Sequence, residues 1–189
     1  PIANARFRIE AVDGSWGPEE YTTLEDGTID LSKLPADTAY IVTELECPGY
    51  IVDDAQRIIH LDGGEQAQFV FTNSKMPSLH LYKESADGTP LGGVTYRLAK
   101  IEDGGHYLDR ITGPDGTITW EGLEPGVYSL VETATVSDHI LDTRKHHVQL
   151  FPGRDGTIVL QNDRRPDLTI HKIDADTGAP VPGTVFLVK

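Results

Sequence analysis

Cysteine, positive charge and long apolar runs are all scarce in this chain of 189 residues. The single cysteine, Cys47, excludes a disulfide bond within the chain, so a stable fold needs good packing or another source of stability. No apolar run approaches the roughly 20 residues that a membrane-spanning helix requires, which excludes such a helix. Lys and Arg number 16 against 30 Asp and Glu, a net charge of -14. This charge argues against nucleic-acid binding, which needs clustered positive side chains.

Spacings that mark common enzymes and metal sites are also missing. The chain has no Gly-x-Ser-x-Gly, no His-Glu-x-x-His and no phosphate-binding glycine loop. The stretch Asp174-Ala-Asp-Thr-Gly178 lacks the later acidic ligand of a calcium loop and is interpreted as a turn. His146 and His147 would face opposite sides of a strand, which is wrong for a shared metal. We expect no metal, no cofactor and no turnover on an external substrate.

Three types of polar residue return after almost the same interval. Lys83 and Lys172 are 89 positions apart, as are Asn73 and Asn162, while Glu44 and Glu132 are 88 apart. Residues 1–7 return in altered form at 90–96 and at 180–186, and Asp26-Gly-Thr-Ile29 returns as Asp115-Gly-Thr-Ile118. A period near 90 residues is too long for a solenoid repeat and matches one small domain. The pattern predicts a tandem array of modules.

The recurring residues divide the chain into three parts. Residues 1–75 contain the Glu and Asn elements without the Lys strand, residues 78–163 contain all three elements, and residues 167–189 restart the pattern and stop after a second strand. We expect a fragment whose ends do not coincide with domain boundaries.

Short alternating segments separated by Gly, Pro and Asp turns predict strands throughout the chain. In the complete module the strands fall near residues 79–84, 94–101, 106–111, 117–121, 127–133, 145–150 and 157–162. Seven short strands in one module are typical of a β-sandwich. The predicted fold class is all-β, built from tandem sandwich modules.

Strand alternation places the recurring polar residues on apolar faces. Residues two positions apart share a face, so Lys83 lies with Leu79 and Leu81, Glu132 with Tyr128 and Leu130, and Asn162 with Ile158 and Leu160. Burial favours the neutral, nucleophilic form of a lysine. If the first and last strands are neighbours, this amine meets the Asn162 carboxamide, while a protonated Glu132 polarises the carbonyl and shuttles protons as ammonia leaves. The predicted product is an isopeptide bond between Lys83 and Asn162.

Four parts of the complete module carry a family resemblance. They are Leu79-His-Leu-Tyr-Lys83, Pro90-Leu-Gly-Gly-Val-Thr-Tyr96, Leu123-Glu-Pro-Gly-Val-Tyr-Ser-Leu-Val-Glu132 and the terminal Asn162. Together they resemble the B-type repeat of Gram-positive collagen adhesins and pilins, and the resemblance covers nearly the whole chain. It implies an inverse immunoglobulin-like, or prealbumin-like, sandwich with an autocatalytic Lys–Asn bond. By motif position, Lys83 and Asn162 are the bonded residues and Glu132 is the catalyst.

Equivalent positions occur in the incomplete modules, namely Glu44 and Asn73 in the first and Lys172 in the third. Glu46 shares the face of Glu44, but the interval from Tyr40 to Glu44 equals that from Tyr128 to Glu132, which favours Glu44. Residues 167–173 of one chain are a candidate for the missing first strand of residues 1–75 in a neighbouring chain, in a head-to-tail swap. The alternative is that both ends only show where the fragment begins and stops.

Two function classes remain open. In the first, the modules are stalk spacers of a cell-wall-anchored adhesin or pilin, and each bond carries force between the first and last strands. In the second, a module binds a host matrix protein or glycan through its loops, with Trp16 and Trp120 as expected exposed contacts. A repeated framework with variable loops favours the spacer. We expect an extracellular parent protein with neighbouring modules as partners, although Leu34-Pro-Ala-Asp-Thr38 lacks the features of a wall-sorting signal.

Overall fold

The structure, a computed structural model, describes residues 1–103 and 105–187. The strands in these residues are β1 (Arg6–Ala11), β2 (Glu19–Thr22), β3 (Thr38–Glu46), β4 (Arg57–Leu61), β5 (Leu79–Ser85), β6 (Thr95–Lys100), β7 (Tyr107–Ile111), β8 (Thr117–Trp120), β9 (Gly126–Ala134), β10 (Lys145–Leu150) and β11 (Gly156–Asn162). A single 3₁₀ turn of the described chain, Ile101–Asp103, precedes β7. No helix in the described ranges is long and apolar enough to cross a membrane.

Residues 78–163 form a sandwich of two sheets. One sheet has the strand order β10-β9-β6-β7 and the other has the order β11-β5-β8. The seven strands predicted for this module are all present, each within one residue of its expected bounds. Inward-facing side chains from both sheets make a single core, which includes Leu79, Leu81, Val94, Tyr96, Leu98, Trp120 and Leu130. The expectation that Trp120 is exposed is wrong, because alternation along β8 turns its side chain into this core.

The first and last strands of the sandwich, β5 and β11, are parallel neighbours. Leu160 lies opposite Lys83, and Asn162 lies opposite Ser85. Strand β5 also pairs with β8, so it is the central strand of its sheet. Its side chains alternate between buried and more accessible positions, which carries Lys83 into the core after two leucines.

Residues 1–75 repeat one of these two sheets. The order β2-β1-β3-β4 corresponds to β7-β6-β9-β10. Phe7 lies opposite Glu44 as Tyr96 lies opposite Glu132, and the register shifts just before both Phe7 and Tyr96. The counterparts of β8 and β11, residues 28–31 and 67–73, are not strands. In the complete module both strands pair with β5, and no strand described within residues 1–75 corresponds to β5.

Residues 167–187 carry no strand, unlike the two strands expected in 167–189. One bridge joins Ile173 to Pro180, and Oδ1 of Asp174 accepts hydrogen bonds from the backbone N–H groups of the turn between them. A hairpin without a third strand or a packed face is only marginally stable, which explains why pairing stops at one bridge. Residues 188 and 189 lie outside the described residues. That this part restarts a module stays a prediction.

Candidate functional site

Three strands of the 78–163 sandwich bring an amine, a carboxyl group and an amide together in the core. Lys83 lies on β5, Glu132 on β9 and Asn162 on β11. Their exposed fractions are 0%, 3% and 2%. Strand β9 belongs to the sheet that faces β5 and β11, so Glu132 reaches across the sandwich to the other two side chains. These three residues are called the core triad below.

Each member of the core triad contacts the other two. Nζ of Lys83 donates a hydrogen bond to Oδ1 of Asn162 at 2.6 Å and lies 3.1 Å from Oε2 of Glu132. Nδ2 of Asn162 donates to Oε1 of Glu132 at 2.7 Å. The carboxyl group therefore faces both nitrogens, one with each oxygen. The hydrogen bond between Glu132 and the Asn162 carboxamide involves the amide nitrogen. The carbonyl oxygen that Glu132 was expected to polarise points to the lysine instead.

Burial has the largest effect on the pKa of Lys83. Removal from water lowers the pKa of Lys83, while the hydrogen bond and charge of Glu132 oppose this shift. A lowered pKa increases the share of neutral amine, and the neutral amine is the nucleophile. Burial therefore moves the amine towards the form that can attack an amide.

Three further groups, which sequence reasoning missed, bind the core triad. The hydroxyl of Tyr96 donates to Oε2 of Glu132 at 2.9 Å, and Oγ1 of Thr135 accepts from Nδ2 of Asn162 at 3.0 Å. The backbone N–H of Asp142 donates to Oε1 of Glu132 at 3.4 Å. The sequence contains a signal for Asp142, because Asp53 and Asp142 are separated by the same 89 positions as Asn73 and Asn162. Tyr96 lay within a repeated motif, but only the β6–β9 register shows that it opposes Glu132.

The carboxylate of Asp142 is itself held in place beside the core triad. Arg144 donates to it from Nε and Nη2 at 2.8 and 2.9 Å, and Nε2 of His146 lies 3.0 Å from Oδ2. The hydrogen bond from Arg144 is the main reason that the pKa of Asp142 lies far below its usual range. The charges of Asp142 and Arg144 act on the pKa of Lys83 in opposite directions, because the first raises it and the second lowers it.

The first module holds the same Glu and Asn pair in the same arrangement. Nδ2 of Asn73 and the backbone N–H of Asp53 both donate to Oε2 of Glu44 at 2.7 Å. The other oxygen, Oε1, is buried and has no hydrogen-bond partner in the described part of the chain. It corresponds to the oxygen of Glu132 that faces Lys83 and Tyr96. Cys47 follows Glu44 by three positions, as Thr135 follows Glu132, and burial, followed by Glu44, raises the pKa of its thiol.

The remaining predicted positions lie at the surface or pack elsewhere. Glu46 is exposed and pairs with Arg6 at 3.1 Å, so Glu44 is the buried glutamate of this strand. Lys172 is exposed, and its Nζ donates to the backbone carbonyl of Ile173. The structure does not place Lys172 at Glu44 or Asn73. Trp16 packs edge-on against Tyr40, with ring centroids 5.7 Å apart.

Both modules of the chain match one known protein family. A family model described as the SpaA prealbumin-like fold domain matches residues 1–75 and again residues 77–164. The chain belongs to the SpaA prealbumin-like domain family. The predicted prealbumin-like sandwich class is therefore confirmed, and so is the resemblance to Gram-positive surface repeats.

Several solved structures resemble this SpaA-family chain. The shaft pilin SpaA from Lactobacillus rhamnosus GG has a TM-score of 0.51 and 12% identity, over 89% of this chain and 90% of the pilin. The Bacillus anthracis TIE protein has a TM-score of 0.48 and 21% identity, over 86% of this chain and 31% of that protein. A streptococcal ancillary pilin has a TM-score of 0.46 and 22% identity, over 88% of this chain and 59% of the pilin. A search of curated proteins found no match.

Proposed function

We propose that this SpaA-family chain is a stalk segment of a Gram-positive pilus or wall-anchored adhesin, and that an autocatalytic isopeptide bond joins Lys83 to Asn162. The observation that carries this proposal is the core triad, whose amine, amide and carboxyl groups lie within 3.1 Å of one another. A buried ion pair is weak support for stability, because desolvation offsets its attraction. A chemical role explains the arrangement better than a purely structural one.

The proposed step needs no reactant from outside the core triad. The neutral amine of Lys83 attacks Cγ of Asn162, so a new N–C bond forms and the bond from Cγ to Nδ2 breaks. Oε2 of Glu132 takes a proton from the attacking nitrogen, and Oε1 delivers one to the departing nitrogen, which leaves as ammonia. Glu132 ends in its initial protonation state. It is therefore the catalyst of a single turnover.

The position of the bond suits a load-bearing module. Strands β5 and β11 are the first and last of the sandwich and are parallel neighbours, so tension on the chain ends reaches both. A covalent link between them carries that tension instead of the hydrogen-bonded ladder. Closing a loop of about 80 residues also removes unfolded-state entropy, on the order of 4 kcal/mol by analogy with disulfides.

Intact mass under denaturing conditions tests the bond. We expect the mass to fall about 17 Da below the calculated value, because one ammonia leaves for each bond. Lys83→Ala and Glu132→Ala restore the calculated mass, whereas Lys145→Ala, which alters an exposed lysine on β10, keeps the deficit. A wild-type mass equal to the calculated value contradicts the proposal.

The site in residues 1–75 supports a proposal about partners. We propose that Glu44 and Asn73 receive a lysine-bearing strand, which would pair with residues 28–31 and 67–73 as β5 pairs with β8 and β11. The buried, unpartnered Oε1 of Glu44 supports this proposal. Residues 168–172 of a second copy fit the position, because Leu168, Ile170 and Lys172 repeat the alternation of Leu79, Leu81 and Lys83 and are exposed.

Denaturing electrophoresis and intact mass test the exchange of strands between chains. Covalent multimers that disappear in Lys172→Ala but persist in Lys145→Ala support it. A purely monomeric population of the wild-type chain removes it, without bearing on the bond between Lys83 and Asn162.

The adhesive alternative has less support from the structure. Trp120 is buried in the sandwich core, and Trp16 is half-buried against Tyr40. Binding screens against matrix proteins and glycans separate the two classes. Binding to a defined partner that is lost in Trp16→Ala favours adhesion. In either case we propose that the parent protein is extracellular and attached to the cell wall.

A further inference from the structure

The two modules differ at the residue that lies opposite the buried glutamate. In the complete module this residue is Tyr96, whose hydroxyl donates to Oε2 of Glu132 at 2.9 Å. In the first module the same register position holds Phe7, opposite Glu44. The aromatic rings of Tyr96 and Phe7 are both buried. The modules therefore share the packing of the ring and differ in one hydroxyl group.

The Tyr96 hydroxyl contacts the oxygen of Glu132 that takes a proton from the attacking amine in the proposed step. Oε2 of Glu132 lies 3.1 Å from Nζ of Lys83, so one oxygen contacts both the phenol and the amine. Burial, and after it the charge of Glu132, raises the pKa of Tyr96 well above its ordinary value. The phenol therefore stays protonated and acts as a donor at every physiological pH.

A donor fixed on Oε2 also orients the rest of the carboxyl group. With Oε2 held between Tyr96 and Lys83, Oε1 faces Nδ2 of Asn162 at 2.7 Å. The ring of Tyr96 also lies near the amine, with 5.8 Å from Nζ to the ring centroid. One side chain thus contacts both the proton carrier and the nucleophile.

We propose that Tyr96 is a positioning residue for bond formation: its hydroxyl holds Glu132 in the orientation that bridges the two nitrogens, and the Phe7 module lacks this aid. The inference rests on the proposed isopeptide chemistry. The groups that face the carboxyl are Lys83 from β5, Tyr96 from β6, the Asn162 amide from β11 and the N–H of Asp142.

Tyr96→Phe is a mild change, because phenylalanine already occupies this position in the first module. The matched control is Tyr128→Phe, which removes another buried hydroxyl, one that donates to the backbone carbonyl of Glu124 at 2.9 Å. Tyr128 shares β9 with Glu132 but lies outside the core triad. Thermal melts of both variants in a Lys83→Ala background show whether they fold equally well without the bond.

The full chain is synthesised in a cell-free system, quenched in denaturant at timed intervals, and followed by the loss of about 17 Da. We expect Tyr96→Phe to slow bond formation about tenfold or more, while Tyr128→Phe stays within about twofold of wild type. A Tyr96→Phe rate equal to the wild-type rate overturns the inference, as does equal slowing by both variants. A wild type that never loses ammonia overturns the isopeptide proposal itself, which is a different result.

Discussion

The hydroxyl group of Ser85 lies 3.1 Å from Nε2 of His139, although the two residues are 54 positions apart. Both side chains are buried. Ser85 follows Lys83 on the inward face of β5, and His139 lies in the connection from β9 to β10. The same connection contains Thr135 and Asp142, which form hydrogen bonds with Asn162 and Glu132 of the core triad. The Ser85–His139 contact therefore ties the surroundings of Asn162 and Glu132 to the strand that carries the lysine.

Replacement of His139 by alanine is expected to destabilise the complete module. The change removes one hydrogen-bond partner of the buried Ser85 hydroxyl and opens a void, and the two effects together cost about 2–4 kcal/mol. Urea unfolding in a Glu132→Ala background measures this loss without the covalent bond. His147→Ala, an exposed change on β10, serves as control and costs less than about 0.5 kcal/mol. Equal midpoints for the two variants contradict the prediction.

Glu132→Gln separates the proton-transfer role of the glutamate from its size. Glutamine fills nearly the same volume but cannot carry a proton between the two nitrogens, so we expect the unbonded mass. Without the cross-link, the free energy of unfolding falls by on the order of 4 kcal/mol. Glu121→Gln, at an exposed carboxyl of the same module, keeps both the bond and the stability. A bonded Glu132→Gln variant with wild-type stability shows that Glu132 is not the catalyst.

The inward positions of Lys83, Glu132 and Asn162 were predictable because strand alternation and the repeat of about 89 residues can both be read directly from the sequence. Alternation along β5, β9 and β11 turned all three inward, as expected. The hydrogen bonds of Tyr96, Thr135 and His139 were not predictable, since each joins residues more than 25 positions apart. Such contacts depend on sheet register and on the course of a loop, which no local pattern encodes.

Residues 28–31 and 67–73, which are not strands, show the other limit of sequence reasoning. Their counterparts β8 and β11 hydrogen-bond to β5, so equivalent segments pair in one module and not in the other. Asp26-Gly-Thr-Ile29 and Asp115-Gly-Thr-Ile118 are identical in sequence, yet only the second leads into a strand. A strand needs its partner, and propensity alone does not supply one.

Asp142 is expected to make the complete module sensitive to acid. Its pKa in the folded protein is lowered from the ordinary 3.8, chiefly by the hydrogen bond from Arg144. A pKa lowered by folding contributes stability that is present above the unfolded-state value and is lost as pH falls towards the folded-state value. In denaturant titrations from about pH 6 to pH 2, wild type therefore loses stability below about pH 4 more steeply than Asp142→Asn. Glu121→Gln keeps the wild-type slope, and parallel curves for Asp142→Asn contradict the prediction.

Gly116, in the turn before β8, packs directly against the backbone of Lys83. Its φ is +73°, and a Cβ atom there would lie 2.3 Å from the carbonyl oxygen of Lys83. That oxygen accepts a hydrogen bond from Leu91, while the N–H of Lys83 donates to Gly116. Gly116→Ala must therefore displace the residue that carries the nucleophile.

Gly88→Ala provides the matched control, because Gly88 has a φ of +84° with nothing within 4 Å of the added Cβ. The control isolates the cost of a left-handed backbone, about 1 kcal/mol. Gly116→Ala adds the clash, and we expect a total loss of about 3 kcal/mol or more and a smaller bonded fraction by intact mass. If the two alanine variants unfold alike and are equally bonded, the tight approach of Gly116 to Lys83 has no part in positioning the amine.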